Sequence, residues 1–447
     1  MTTPIYNFVQ NYIKSGISRF HMPGHKGKCF LGLEAADITE IKGADELYSP
    51  SGIIAESEEN ATELFGTAHT YYSTEGSTLA IKAMLALALK DCESKGRKTV
   101  LAGRNAHKAF LFAAALLDFD IEWLYPDEPS HACRCEITPS ALRASLSDMK
   151  SKPAAVYITS PDYLGNVADV KGLSAVCDEY DVPLLVDNAH GAYLAFLEPS
   201  LHPIALGASM CADSAHKTLP VLTGGAYLHI SKKAEHLTKD ARASLSLFAS
   251  TSPSYLTLQS LDLANAYIAD GYSERLNKTR RAVACAKGTL AGTGFIPEKS
   301  EPLKIVINAS KYGYTGDELA EHLREFGIEC EFSDREFLVL MLTPENVIDS
   351  DKDFERLYLA FMSIAPKTAL APISVSLTPG ERKLSAREAI FSKSERIPTE
   401  AALGRILASP TVSCPPAVPI AVSGELITAG TKKALLAYGI DEVEVVL

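Results

Sequence analysis

No apolar run in this 447-residue sequence reaches the ~18 residues that a membrane-spanning helix needs, because Lys, Asp or Glu interrupts each long stretch. Basic runs and basic-aromatic stripes are also missing, and the formal net charge is −12. Nucleic acid requires clustered Lys and Arg to neutralise its phosphates, so it is not expected as a partner. The negative field instead favours cationic small molecules. Paired CxxC motifs are absent. Nine cysteines are scattered at positions 29, 92, 133, 135, 177, 211, 285, 330 and 414, an odd number that suggests no disulfide framework. The nearest approach to a metal motif is His131 with Cys133 and Cys135, which lacks a fourth ligand. Reduced, mainly structural thiols and no metal site are expected. The first residues, MTTPIYNFVQNYIKSG, lack the basic start and apolar block of a secretory signal, so a cytoplasmic protein is expected. Internal repeats and low-complexity tracts are missing too.

What is present is an ordinary globular composition, 47% hydrophobic and 22% charged, in a chain long enough for two or three domains. Residues 1–60, rich in Gly, Pro and His, read as an ordered arm. Across 61–280, helical segments alternate with short β-branched runs. Strands are predicted at Thr99–Gly103, Ala154–Thr159, Val182–Asp187 and Gly225–Ile230. Helices are predicted at Ser77–Cys92, Asn105–Leu117 and Leu173–Tyr180. This alternation predicts an α/β layer with a mainly parallel sheet, whose ligands bind at the carboxyl ends of the strands. Residues 281–366 read as a smaller α/β domain, with strands Lys304–Asn308 and Phe337–Leu342 around a helix near Asp317–Phe326. A Pro/Ser/Thr-rich stretch, Ala365 to Pro379, reads as a linker into a C-terminal domain at 380–447.

Four segments carry chemistry. In Tyr72-Ser-Thr-Glu-Gly-Ser-Thr78, a small-residue turn opens a helix, exposing backbone N–H groups and the positive dipole end to a phosphate; Ser and Thr also simply cap helices. His107, in Arg104-Asn-Ala-His107-Lys, follows a strand and offers a ring for stacking, or is a surface loop histidine. Asp187, in Leu184-Leu-Val-Asp187-Asn-Ala-His190, ends an apolar strand, where a carboxylate is costly without a cation such as a protonated pyridine nitrogen; a turn or N-cap aspartate is the plainer reading. Lys217, in Asp213-Ser-Ala-His216-Lys217-Thr, follows a strand among small and hydroxyl residues, which suits a Schiff base beside a phosphate. A lone lysine is usually a solvated surface charge; the set is far more specific than any member.

With these segments, His21-Met-Pro-Gly-His-Lys-Gly27, Ala44-Asp-Glu-Leu-Tyr-Ser-Pro50 and Pro398-Thr-Glu-Ala-Ala-Leu-Gly-Arg405, the chain resembles the Orn/Lys/Arg decarboxylase group of fold-type-I pyridoxal 5'-phosphate (PLP) enzymes. The resemblance implies a PLP-dependent transferase-like large domain and decarboxylation of arginine, lysine or ornithine, with arginine slightly preferred and polyamine biosynthesis as the setting. It implies that Lys217 carries PLP, Asp187 holds the pyridinium proton, His107 stacks on the ring and His190 sits near the ring hydroxyl. Gly76, Ser77, Thr78, Ser214 and His216 would hold the phosphate, and His216 or Lys217 would return a proton to the substrate. A homodimer is implied as the minimum assembly. The chain reads as a short form without the N-terminal wing domain of the large inducible members.

Family members often carry Asn-Gly where this chain has Glu75-Gly76, and a carboxylate beside a phosphate is unfavourable unless it points away. Asp45, Glu46, Glu75 and Glu400 are candidate readers of a basic substrate side chain, each equally readable as a surface or structural acid. Two alternatives stay open: another fold-type-I reaction, such as aminotransfer or side-chain elimination, and a regulatory homologue that keeps the cofactor and has lost activity.

Overall fold

The computed structural model describes residues 1–126, 131–348, 352–371, 380–410 and 418–447. Cys414 and the 372–379 part of the predicted linker lie outside the described residues. Two compact units emerge. One comprises Met1–Thr99, Leu142–Ser160 and Asp169–Ser273; the other comprises Val100–Ala141, Pro161–Ala168 and Glu274–Leu447.

Helix α1 (Pro4–Lys14) begins with proline, whose fixed φ and missing N–H suit a first helical turn. Its Ile5 and Val9 are buried at i, i+4 spacing. The arm expected at 1–60 therefore contains a helix, and α2 (Ile53–Phe65) begins within it. Residues 15–52 form neither helix nor strand. Strand β1 (His69–Ser73) leads into α3 (Gly76–Asp91), followed by β2 (Thr99–Gly103), α4 (Lys108–Leu117), β3 (Asp120–Leu124) and α5 (Pro139–Asp148). Next come β4 (Ala155–Thr159), α6 (Val170–Glu179), β5 (Leu184–Asp187), β6 (Met210–Asp213), the single turn α7 (Ala215–Thr218) and β7 (Ala226–Ile230).

These strands form one mostly parallel seven-stranded sheet in the order β1-β7-β6-β5-β4-β2-β3. Strands β4, β5 and β6 run parallel, and β7 is antiparallel to both of its neighbours. All four residues of β5 and of β6 are buried, as expected for strands covered on both faces. Because β5 and β6 are parallel neighbours, Asp187 and the Ser214–Lys217 segment emerge at the same edge of the sheet. Helices α8 (Thr238–Ser246) and α9 (Tyr255–Ala269) complete this part of the chain.

In the second unit, β8 (Lys304–Asn308), β9 (Phe332–Ser333) and β10 (Phe337–Met341) form an antiparallel sheet in the order β8-β10-β9. Ile305, Ile307, Leu338 and Leu340 pack there with Leu319, Leu323 and Phe361. Strands β11 (Ser394–Pro398) and β12 (Glu442–Val446) pair near the C-terminus over Ala402, Leu407, Ile427, Leu435 and Val445. Among the described residues, every cysteine is a free thiol and no helix is long and apolar enough to cross a membrane.

Candidate active site

Asp187 is the last residue of β5 and is wholly buried. Burial raises its carboxyl pKa, and the Lys217 charge, the Ala189 N–H and the Tyr157 hydroxyl pull it back only in part. Tyr157, also buried, donates its hydroxyl to Asp187 Oδ2 at 3.1 Å, and the Ala189 N–H donates to Oδ1 at 3.2 Å. Both oxygens are thus fixed while each keeps a further lone pair for a cationic partner.

Strand β6 ends at Asp213, and the chain turns at once into α7, which carries His216 and Lys217. Lys217 is half-buried, with its Nζ 3.2 Å from Nε2 of the buried His190. His216 holds its ring against Gly225 O through Nδ1 at 3.0 Å. The hydroxyl of Thr218 is buried without a hydrogen-bond partner among the described residues.

The second half of the site comes from the start of α3. Ser214 donates its hydroxyl to Ser77 Oγ at 2.8 Å. Gly76 has φ +73°, and a Cβ there would meet nothing within 4 Å, so the turn faces open space. Its amide donates to Gly224 O at 2.7 Å. Gly224 must itself be glycine: its φ is +97°, and a Cβ would lie 2.8 Å from Thr74 O. With the Gly76 amide occupied, the N–H groups left to meet an anion would be those of Ser77 and Thr78 in the first helical turn, which lacks intrahelical acceptors. The residues present fit PLP: a buried acid for the ring nitrogen, an amine held by a histidine, and paired hydroxyls at a helix N-terminus for a phosphate.

Glu75, whose place beside a phosphate was the chief departure from the family pattern, ties Oε1 to the Ser250 N–H at 2.7 Å. Asp45 has a different engagement: its carboxylate accepts from the amides of Glu46, Ser51, Gly52 and Ile54 at 2.9–3.1 Å. Burial alone would raise its pKa, but those amides outweigh it and hold the carboxyl below the usual range. Glu46 is exposed, and so is Glu400, in a short 3₁₀ turn of the second unit. His107 is the N-cap of α4, where Nδ1 accepts the Ala109 N–H at 3.1 Å. The helix begins there rather than at the predicted Asn105. Tyr157 and Tyr48 escaped the sequence reading. Tyr48 has a buried hydroxyl with no partner among the described residues, and burial together with the charges of Glu75 and Glu58 raises its pKa. Their signals were a tyrosine in a buried strand and one inside the Ala44–Pro50 motif.

Residues 3–289 match the family model described as Orn/Lys/Arg decarboxylase, major domain. An arginine decarboxylase of Bacillus subtilis (strain 168) is 31% identical, covering 95% of this chain and 91% of its own. The arginine decarboxylase of Halalkalibacterium halodurans is 30% identical with the same coverages. Among solved structures, the constitutive lysine decarboxylase of Escherichia coli superposes with a TM-score of 0.77 at 18% identity, covering all of this chain and 82% of that one. At that identity the likeness speaks for the fold.

Proposed function

Because the chain belongs to the Orn/Lys/Arg decarboxylase family and is thereby a basic amino acid decarboxylase, we propose that it works at Lys217 with PLP as cofactor and takes arginine ahead of lysine and ornithine. The observation that carries the site is Lys217 Nζ at 3.2 Å from His190 Nε2, within the field of the wholly buried Asp187. The arginine preference is supported by the names of the two relatives just described. A cytoplasmic homodimer belongs to the same reading. Ile17, Phe20, Met22, Phe30, Leu31 and Leu33 present exposed apolar side chains, a concentration that a second copy would bury.

Held here, PLP supplies the cationic conjugated ring that takes up the electrons of the breaking carbon–carboxylate bond. Asp187 meets the ring-nitrogen proton and stays fixed through Tyr157 and Ala189. Ser77, Ser214 and the first-turn amides of α3 hold the phosphate. Lys217 is the covalent anchor. Lys217 Nζ and His190 Nε2 hold a proton between them that is delivered to the substrate carbon after carbon dioxide departs, and His216 is the second candidate donor. Burial around Asp187 and Tyr157 excludes water and strengthens the charge pairing. Glu75, exposed and with one oxygen committed to Ser250, is the acid best placed in chemistry to read the guanidinium group.

Borohydride reduction of the PLP-loaded protein followed by peptide mapping tests the site. A pyridoxyl group on Lys217 is expected; the label on another lysine contradicts the assignment.

A further inference from the structure

A second cluster lies on the sheet behind the strand end that carries Lys217. Thr70, His229 and Cys211 are register partners across β1, β7 and β6, and Asp213 lies two residues beyond Cys211 on the same face of β6. His202, from the segment preceding β6, completes the group. All four side chains of His202, Cys211, Asp213 and His229 are buried, and one ligand atom of each lies within 4.8 Å of the others. We propose that these four residues form a closed, structural site for one zinc ion.

The donor set and its spacing carry the assignment. Zinc takes Cys sulfur at about 2.3 Å and His nitrogen or carboxylate oxygen at about 2.0–2.2 Å in a tetrahedron, which sets ligand-to-ligand edges of roughly 3.3–3.8 Å. Asp213 Oδ2 lies 3.0 Å from His202 Nε2 and 3.2 Å from His229 Nε2. Cys211 Sγ lies 3.8 Å from His202 Nε2, and beside the same carboxylate, 3.7 Å from its other oxygen, Oδ1. Slight outward movement of the nitrogens brings the two Asp213–His edges into that range, and the remaining edges lie within 4.8 Å. The outer contacts of His229 and Asp213 are those of a metal site. Thr70 Oγ1 is 2.9 Å from His229 Nδ1, where it fixes the ring. Asn188 donates to Asp213 Oδ1 at 2.7 Å, leaving Oδ2 to face the ion. His202 Nδ1 is buried with no partner among the described residues. Phe65 walls the cluster off, with ring centroids 4.5 Å from His229 and 5.6 Å from His202.

Charge argues in the same direction. A thiolate and a carboxylate neutralise a divalent cation, so the buried group as a whole carries no net charge. All four positions being filled by protein, the ion has no open site for substrate or water and is structural. Being enclosed, it is acquired as the chain folds. Its place fits that role: it would clamp β6 to β7 one residue before Ser214, holding the strand end that presents Lys217. The four ligands come from three separated stretches, a spacing that no CxxC-type pattern announces.

The test is metal analysis of the full-length protein, produced in zinc-supplemented medium and purified without chelator, with X-ray absorption at the zinc edge. Near one zinc per chain is expected, with one sulfur and three nitrogen or oxygen neighbours. Cys211→Ser should remove the sulfur shell, and His229→Gln should lower the zinc content at least fivefold. Two outcomes overturn the proposal. One is less than about a tenth of an equivalent of zinc in the wild-type protein, also after refolding with zinc; the contacts are then only an Asp–His hydrogen-bonded cluster. The other is bound zinc that lacks a sulfur neighbour and survives Cys211→Ser, which places the ion elsewhere. Neither readout depends on decarboxylase activity.

Discussion

Ser214 donates its hydroxyl to Ser77 across 2.8 Å, although the two are 137 residues apart in the chain. The contact joins the end of β6 to the start of α3, and the Gly76 amide, reaching Gly224 O at 2.7 Å, ties the same helix start to the turn that enters β7.

The shared hydroxyl contact sets the pattern expected of its variants. Ser77→Ala and Ser214→Ala should each weaken PLP binding roughly tenfold, the equivalent of about 1–1.5 kcal/mol for one hydrogen bond. Because each serine orients the other, the double variant should lose less than the product of the two. Fluorescence titration of the apoprotein with PLP measures this; strict additivity would mean that the two hydroxyls act independently.

Removing the charge at the end of β5 should cost far more. Asp187→Ala is expected to lower kcat by about 10²–10⁴-fold, because a buried charge pair broken on one side loses about 3–5 kcal/mol. Tyr157→Phe removes only the hydrogen bond to Oδ2 and should lower kcat by roughly three- to tenfold. Equal effects in steady-state assays of the two variants would contradict the ranking.

The acids divide by what already holds them. Asp45 is committed to four backbone amides, so Asp45→Ala should lower stability by about 1–3 kcal/mol and leave KM within about twofold. Glu75→Gln should do the reverse, raising KM for arginine about tenfold or more by removing a charge that pairs with the substrate. A KM effect confined to the Asp45 variant would reverse the assignment.

Asp262, on α9, accepts hydrogen bonds from Ser57 Oγ at 2.6 Å and from the Tyr6 amide at 2.9 Å. Burial outweighs both and pushes its carboxyl up to about 6, from an ordinary 3.8. The folded state therefore binds this proton more tightly than the unfolded chain. The stabilisation is fully present below about pH 4 and is lost as the pH rises through 6. Asp262→Asn should remove that decline, so the variant's Tm should gain on the wild type between pH 4 and pH 7. Parallel Tm curves would mean that Asp262 titrates normally.

Much of the sheet was legible because its strands are locally distinctive. Strands β4, β5 and β7 carry branched or aromatic runs bounded by turns, and each lies within a residue or two of its predicted limits. A strand was expected ahead of Lys217, but the limits of β6 were not legible: Met-Cys-Ala-Asp has no β-branched residue, and it is a strand because β5 and β7 flank it. Helix α1 did leave a signal, Pro4 followed by Ile5 and Val9, which the surrounding Gly, Pro and His obscured. The segments carrying Asp187, His190 and Lys217 stood out because charged residues follow apolar strands. What holds Asp45 and Glu75 could not be read. Their partners are backbone amides of residues 46–54 and of Ser250, and a backbone donor leaves no mark in side-chain pattern.

Carbon dioxide release from arginine, lysine and ornithine, assayed separately with purified protein and PLP, tests the central claim most directly. Release from arginine, faster than from the other two, is the predicted result. No release from any of them, by protein whose Lys217 borohydride labels with the cofactor, would contradict the account while leaving the fold and the cofactor site in place.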